Sequence, residues 1–209
     1  MMNRFLWILF GATVTFTSAV SGLVLAPHIQ LGKMEAGPIL PGDEGEYPKK
    51  RTELEELGKQ VYQKNGCIYC HSQQVRSIHF GNNADIARGW GVRRSVARDY
   101  LHDRPILLGT MRTGPDLANV GPRWSPDWHH KHLYNPRMMV PGSIMPPFQF
   151  LYKIQERGAS PDPKALALYP PWRDGLKDNQ EVIPTEEAEA LVAYLMSLDQ
   201  TADLPEARE

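Results

Sequence analysis

Hydrophobic and polar positions divide the chain into unequal parts. Residues 5–26, FLWILFGATVTFTSAVSGLVLA, carry no charge, and at about 1.5 Å rise per residue a helix of that length crosses a bilayer. Residues 27–51 hold four prolines and four glycines with no apolar period, the pattern of a linker. Periodicity returns in TELEELGKQVYQKNG, where Leu54, Leu57 and Val61 share one helical face. Thr52 and Glu55 there form a capping box, and Asn65-Gly66 ends the run. SPDWHHKHLYNP predicts a second helix, with Ser125 as cap, Pro126 at the first position and Pro136 as terminator. In PTEEAEALVAYLMSLD, Thr185 caps, acids fill the first turn, and Leu191, Tyr194, Leu195 and Leu198 form a stripe. Elsewhere Gly, Pro and Arg dominate, with neither strand alternation nor a long repeat. The expected fold is all-α with long irregular loops, on one N-terminal transmembrane helix. Its parts are an anchor at 1–27, a linker at 28–51, a domain at 52–200 and a tail at 201–209. So few helices make a poor core alone, and a bulky apolar cofactor is expected among them.

Charge narrows the function. Twenty-three Lys and Arg against 24 Asp and Glu give a net charge of -1, which argues against a general nucleic-acid binder. Mean hydropathy is -0.42 despite the apolar leader, so the remainder is water-soluble. A cleaved signal peptide is the alternative for the leader. The run is longer than a signal core, and Pro27 follows the best small-residue exit, so an uncleaved anchor is favoured. Only Arg4 precedes the span and Lys33 follows it, so flanking charge specifies orientation weakly.

The chain's two cysteines stand in GCIYCH as Cys67-x-x-Cys70-His71, the spacing of c-type haem attachment. Two thiols on adjacent turns reach the two vinyl groups of one porphyrin, and the next residue lies under the iron. One covalent haem c is therefore expected, with His71 as proximal ligand. The alternatives are a thioredoxin-like pair, which needs a βαβ context, a zinc site, which needs more ligands, and a short strained disulfide. Attachment occurs outside the bacterial inner membrane, which would leave Arg4 cytoplasmic and the chain from about His28 periplasmic.

A second axial ligand is needed. Met145, in PGSIMPPF, lies in a loop stiffened by Pro141, Pro146 and Pro147, which limits the entropy lost in holding a weak thioether. Met138 and Met139 are the runner-up pair. Met111 is a further methionine, and Met196 belongs to the last helix as packing. His79, His102, His129, His130 and His132 could serve a bis-His site, but most such histidines are surface residues. In RTGPDL, Pro115 is assigned as the carbonyl acceptor for the other N–H of His71; a plain turn is the alternative.

Three stretches together, GCIYCHSQQVR, RTGPDLANVGPRWSPDWHHKHLYNPR and VPGSIMPPF, following one N-terminal span, resemble the mono-haem cytochrome c subunit (subunit II) of cbb-type, C-family haem-copper oxidases. The resemblance covers roughly residues 50 to 150. It implies a periplasmic class I cytochrome c fold whose haem passes electrons toward oxygen reduction. The partners it implies are the catalytic haem-copper subunit, other oxidase subunits, an electron-donor cytochrome and the membrane. The chain itself would be a non-catalytic electron-transfer subunit. In that fold the N- and C-terminal helices cross, placing Gly58 against Tyr194. Residues 81–98 and 153–183 depart from the pattern, the latter reading as an added loop. Seven arginines and three aspartates lie between Arg76 and Arg112, read either as a docking surface or propionate clamp, or as a solvated loop. Arg112, and Trp124 through its indole N–H, are candidate propionate partners. The anchored cytochrome of a nitric oxide reductase and a freestanding anchored shuttle are the rival functions.

Overall fold

Local signals place the helices where the caps stand. The computed structural model describes residues 3–39, 44–109, 111–173 and 175–208; residues 40–43 of the predicted linker and Glu209 of the tail lie outside them. The N-terminal helix is α1 (Arg4–Val20), a π-helical turn over Ser21–Leu25, and α2 (Ala26–Leu31). Together these make one 28-residue helix, unburied and apolar enough to cross a membrane. It continues past the predicted end at Ala26. The wide turn receives Pro27, which has no N–H to give, and Ala26 N–H reaches back five residues to Ser21 O.

In the soluble part, α3 (Glu53–Lys64) starts at the Thr52 and Glu55 capping box, and α6 (Glu186–Ser197) at Thr185. The two cross where a Cβ on Gly58 would fall 1.8 Å from Ala190 O and 2.7 Å from Tyr194 Cβ, so only glycine allows the approach. The buried face of α3 is rotated from the expected stripe. Val61 and Tyr62 are buried, while Leu54 is exposed. Tyr62 turns inward to meet the Tyr194 ring edge-on, and Lys59 is buried because its ammonium reaches Asp103 at 2.7 Å. Arg51 pairs with the same carboxylate.

Between these helices lie α4 (Asn82–Ala87) and α5 (Pro126–Tyr134), the latter capped by Ser125. The stretch 153–183 is not only a loop. β1 (Tyr152–Glu156) and β2 (Gln180–Pro184) pair antiparallel, Tyr152 opposite Pro184 and Glu156 opposite Gln180. Among the described residues the domain is helical with long loops and this added ribbon. Val182 is buried at the core while Ile154 stays exposed, so too little apolar alternation marks the strands in sequence.

Four of the seven arginines between Arg76 and Arg112 are tied into the domain rather than left in a solvated loop. Arg76 and Arg112 both bind the buried Asp85. Arg93 binds Asp99 and the Ala202 carbonyl. Arg98 donates to the carbonyls of Gly37, Pro38 and Tyr47. Linker and tail are thereby drawn onto a small second core of Val96, Leu204 and Ala207, with Ile39 and Tyr47 against it.

Candidate haem cleft

Cys67 follows α3 directly, through a left-handed Gly66 and a 3₁₀ turn over Cys67–Tyr69. The Cys67 carbonyl accepts from the N–H groups of Cys70 and His71, which sets both thiols and the imidazole on one tight turn. Both thiols are free. Burial pushes the Cys67 thiol up to about 11, aided by neighbouring Cys70.

The RTGPDL loop runs beside this turn. Gly114 N–H donates to Cys70 O and Leu117 N–H to Ser72 O, each 2.8 Å. His71 Nδ1–H donates to Pro115 O at 2.8 Å, leaving Nε2 with a free lone pair. Burial lowers the His71 pKa, partly opposed by the Pro115 carbonyl and Asp116, which favours the neutral form that a metal-binding imidazole needs. A Cβ at Gly114 would stand 2.2 Å from His71 Cε1. Asp116 braces the loop from beneath, accepting from Ser72 Oγ and from the N–H groups of Gln74 and Ala118.

A cleft opens over these residues in two lobes of about 230 and 400 Å³. Cys67, His71, Pro115, Val140, Ser143 and Met145 line both. Of the methionines among the described residues, Met145 alone does so. Met138 is packed in the core, Met139 lies against it, and Met111 is exposed. Met196 faces a separate cavity beside the linker. The Met145 loop is tied down where Phe148 N–H donates to Leu133 O of α5.

The far wall is aromatic. Trp124, Trp128 and His132, at i, i+4 and i+8, stack with centroids 4.6 Å apart and planes within 11°. Of the other histidines, His129 lines the cleft, His130 meets Tyr152, His102 meets the Pro48 carbonyl and His79 is exposed. Arg112 is not among the lining residues. Its guanidinium is spent on Asp85, Ser72 Oγ and Gln74 O and faces the Trp90 ring. Arg123, which the sequence reading passed over, does line the cleft.

The cleft fits a flat apolar group. Three enclosed polar atoms on residues of its wall, Tyr62 Oη, His129 Nε2 and His132 Nδ1, have no hydrogen-bond partner, which marks a wall short of one neighbour. The donor set of two thiols, a neutral imidazole and a thioether suits covalently held haem. No three His, Cys, Asp or Glu side chains cluster as a metal site among the described residues, and the only paired strands described are antiparallel, so the zinc and thioredoxin alternatives lack their surroundings.

Helices crossing at Gly58, a Cys-x-x-Cys-His turn and a methionine loop on one cleft define a membrane-anchored cytochrome c-type electron-transfer protein, consistent with the class I fold. A family model described as "Cytochrome C oxidase, mono-heme subunit/FixO" matches residues 10–168, and the chain belongs to that family. Comparison with curated proteins gives no match.

Proposed function

We propose that the protein passes electrons from a donor cytochrome to the catalytic haem-copper subunit of a cbb-type terminal oxidase. Cys67 and Cys70 would hold one haem c covalently, and His71 and Met145 would be the residues that ligate its iron. When bound, haem supplies a one-electron couple. The residues do the rest. Pro115 fixes the His71 tautomer so that Nε2 presents its lone pair. The prolines around Met145 hold a weak donor in place, and thioether ligation raises the potential. Leu117, Val120, Leu133, Leu191 and Leu195 line the inner lobe and exclude water, which disfavours the extra charge of the oxidised state. Trp124 offers an indole N–H at the cleft edge. Arg112 acts indirectly, by latching the loop that carries Pro115. Attachment of haem outside the inner membrane puts Arg4 in the cytoplasm and the domain in the periplasm.

The observation that carries this reading is the convergence of both thiols, the Pro115-bound imidazole and Met145 on one cleft. Purification from membranes tests it. The denatured subunit should keep haem peroxidase stain, lose it in a Cys67→Ala, Cys70→Ala double variant, and co-purify with large apolar subunits that reduce oxygen. A complex that reduces nitric oxide instead would assign the chain to a reductase, and isolation alone to a freestanding shuttle.

A further inference from the structure

Away from the haem cleft, a cavity of about 510 Å³ opens between residues 47–52 at the end of the linker, residues 99–103, and residues 196–202 where α6 runs into the tail. The four acids that line it among the described residues are already engaged. Asp103 binds Arg51 and Lys59, Asp99 binds Arg93 and the Tyr47 hydroxyl, Glu55 accepts from Thr52 N–H, and Asp199 accepts from Thr201. The cations have capacity left. Lys49 and Lys50 line the same cavity, are exposed, and pair with nothing among the described residues. Arg51 gives both Nη groups to Asp103, yet its enclosed Nε–H has no acceptor, and a buried donor left unpaired costs stability until an acceptor arrives. Three consecutive cations with donors to spare call for an anion.

The place of the cavity in the molecule says which anion. Gly37 and Tyr47 exchange both backbone hydrogen bonds, at 3.1 and 2.9 Å, so the first residue of the cavity wall lies beside the point where the linker joins the domain. Gly37 stands six positions after Leu31, where the membrane helix ends. The cavity is thereby kept within a short tether's length of the headgroup layer, where phosphate diesters are the abundant anions and draw in basic residues beside a membrane helix. We propose that the cavity takes the phosphate headgroup of an anionic phospholipid, bound by Arg51 Nε, Lys49 and Lys50, so that a lipid fastens the domain to the membrane beside its own anchor. This site depends on the membrane helix and not on the haem.

Full-length holoprotein extracted in neutral detergent and titrated with phosphatidylglycerol or phosphatidylcholine tests this by native mass spectrometry. One phosphatidylglycerol should be retained in preference to phosphatidylcholine. A Lys49→Gln, Lys50→Gln double variant should weaken that retention roughly 30-fold, about fivefold for each cation, while Lys33→Gln leaves it unchanged. An equal loss in Lys33→Gln would put the lipid on the anchor and overturn the proposal. Location is read without any substitution. Amide hydrogen exchange in the wild-type protein should slow at residues 47–52 and 196–202 when phosphatidylglycerol is added, and unaltered rates there would refute the site. If inorganic phosphate alone slows exchange as much, the cavity is a free-phosphate site and the lipid assignment fails. It fails equally if the double variant keeps its lipid but loses co-purifying subunits, because the cavity would then face a protein.

Discussion

His129 is 3 % exposed, and burial, reinforced by His132 and His130, takes its pKa from the ordinary 6.5 down to about 4. As pH falls the unfolded chain binds this proton first. The stabilisation is therefore complete above pH 6.5 and is lost as pH drops through about 4. His129→Gln should flatten the acid limb of stability in that window, measured by denaturant titration at successive pH values; an unaltered limb would assign the acid sensitivity to other groups. Met145 offers a spectroscopic test. The ferric protein should show the near-infrared band of sulfur-to-iron charge transfer. Met145→Ala should lose it, and Met145→His should also lower the potential. Survival of the band there, with loss in Met138→Ala or Met139→Ala, would move the ligand to that pair. At this scale the sequence was most legible where chemistry is local. Cys67, Cys70 and His71 are neighbours, and Pro115 sits in a short motif. That Arg112 would turn away from the cleft was hidden because its partner Asp85 stands twenty-seven positions earlier.

Among the elements, α3 and α6 were predictable because each announces itself within one turn, by Thr52 with Glu55 and by Thr185. Their contact rests on Gly58. Gly58→Ala should cost about 1–3 kcal/mol by overpacking, read as a lower denaturation midpoint, with the potential of the folded fraction unchanged. A variant as stable as wild type would mean the helices can part without penalty. The β1 and β2 ribbon escaped prediction for a physical reason. Its strands are five residues each, and β1 buries only Tyr152 fully. Their pairing is specified by tertiary contacts, such as Thr185 reaching Leu151 O through both N–H and hydroxyl, rather than by alternation.

For the whole molecule, the proposed topology predicts that a reporter active only in the periplasm, fused after Glu209, will be active, and one active only in the cytoplasm will not; the reverse pattern would invert the anchor. The described part of the linker beyond Ala36 is no spacer, because Arg98 holds Gly37 and Pro38, and Tyr47 packs on the second core. Only residues 32–36 separate the end of α2 from that first fixed point. At roughly 3.3–3.6 Å per residue they reach about 20 Å at most. The cytochrome domain is thus held within about 20 Å of its own membrane helix, and under the proposed function electron delivery to an acceptor in the same complex becomes a matter of tether geometry. A flexible Gly-Ser insert between Lys33 and Glu35 should leave the haem spectrum untouched while slowing turnover of the intact complex, as the domain's local concentration at its acceptor is diluted over a larger volume.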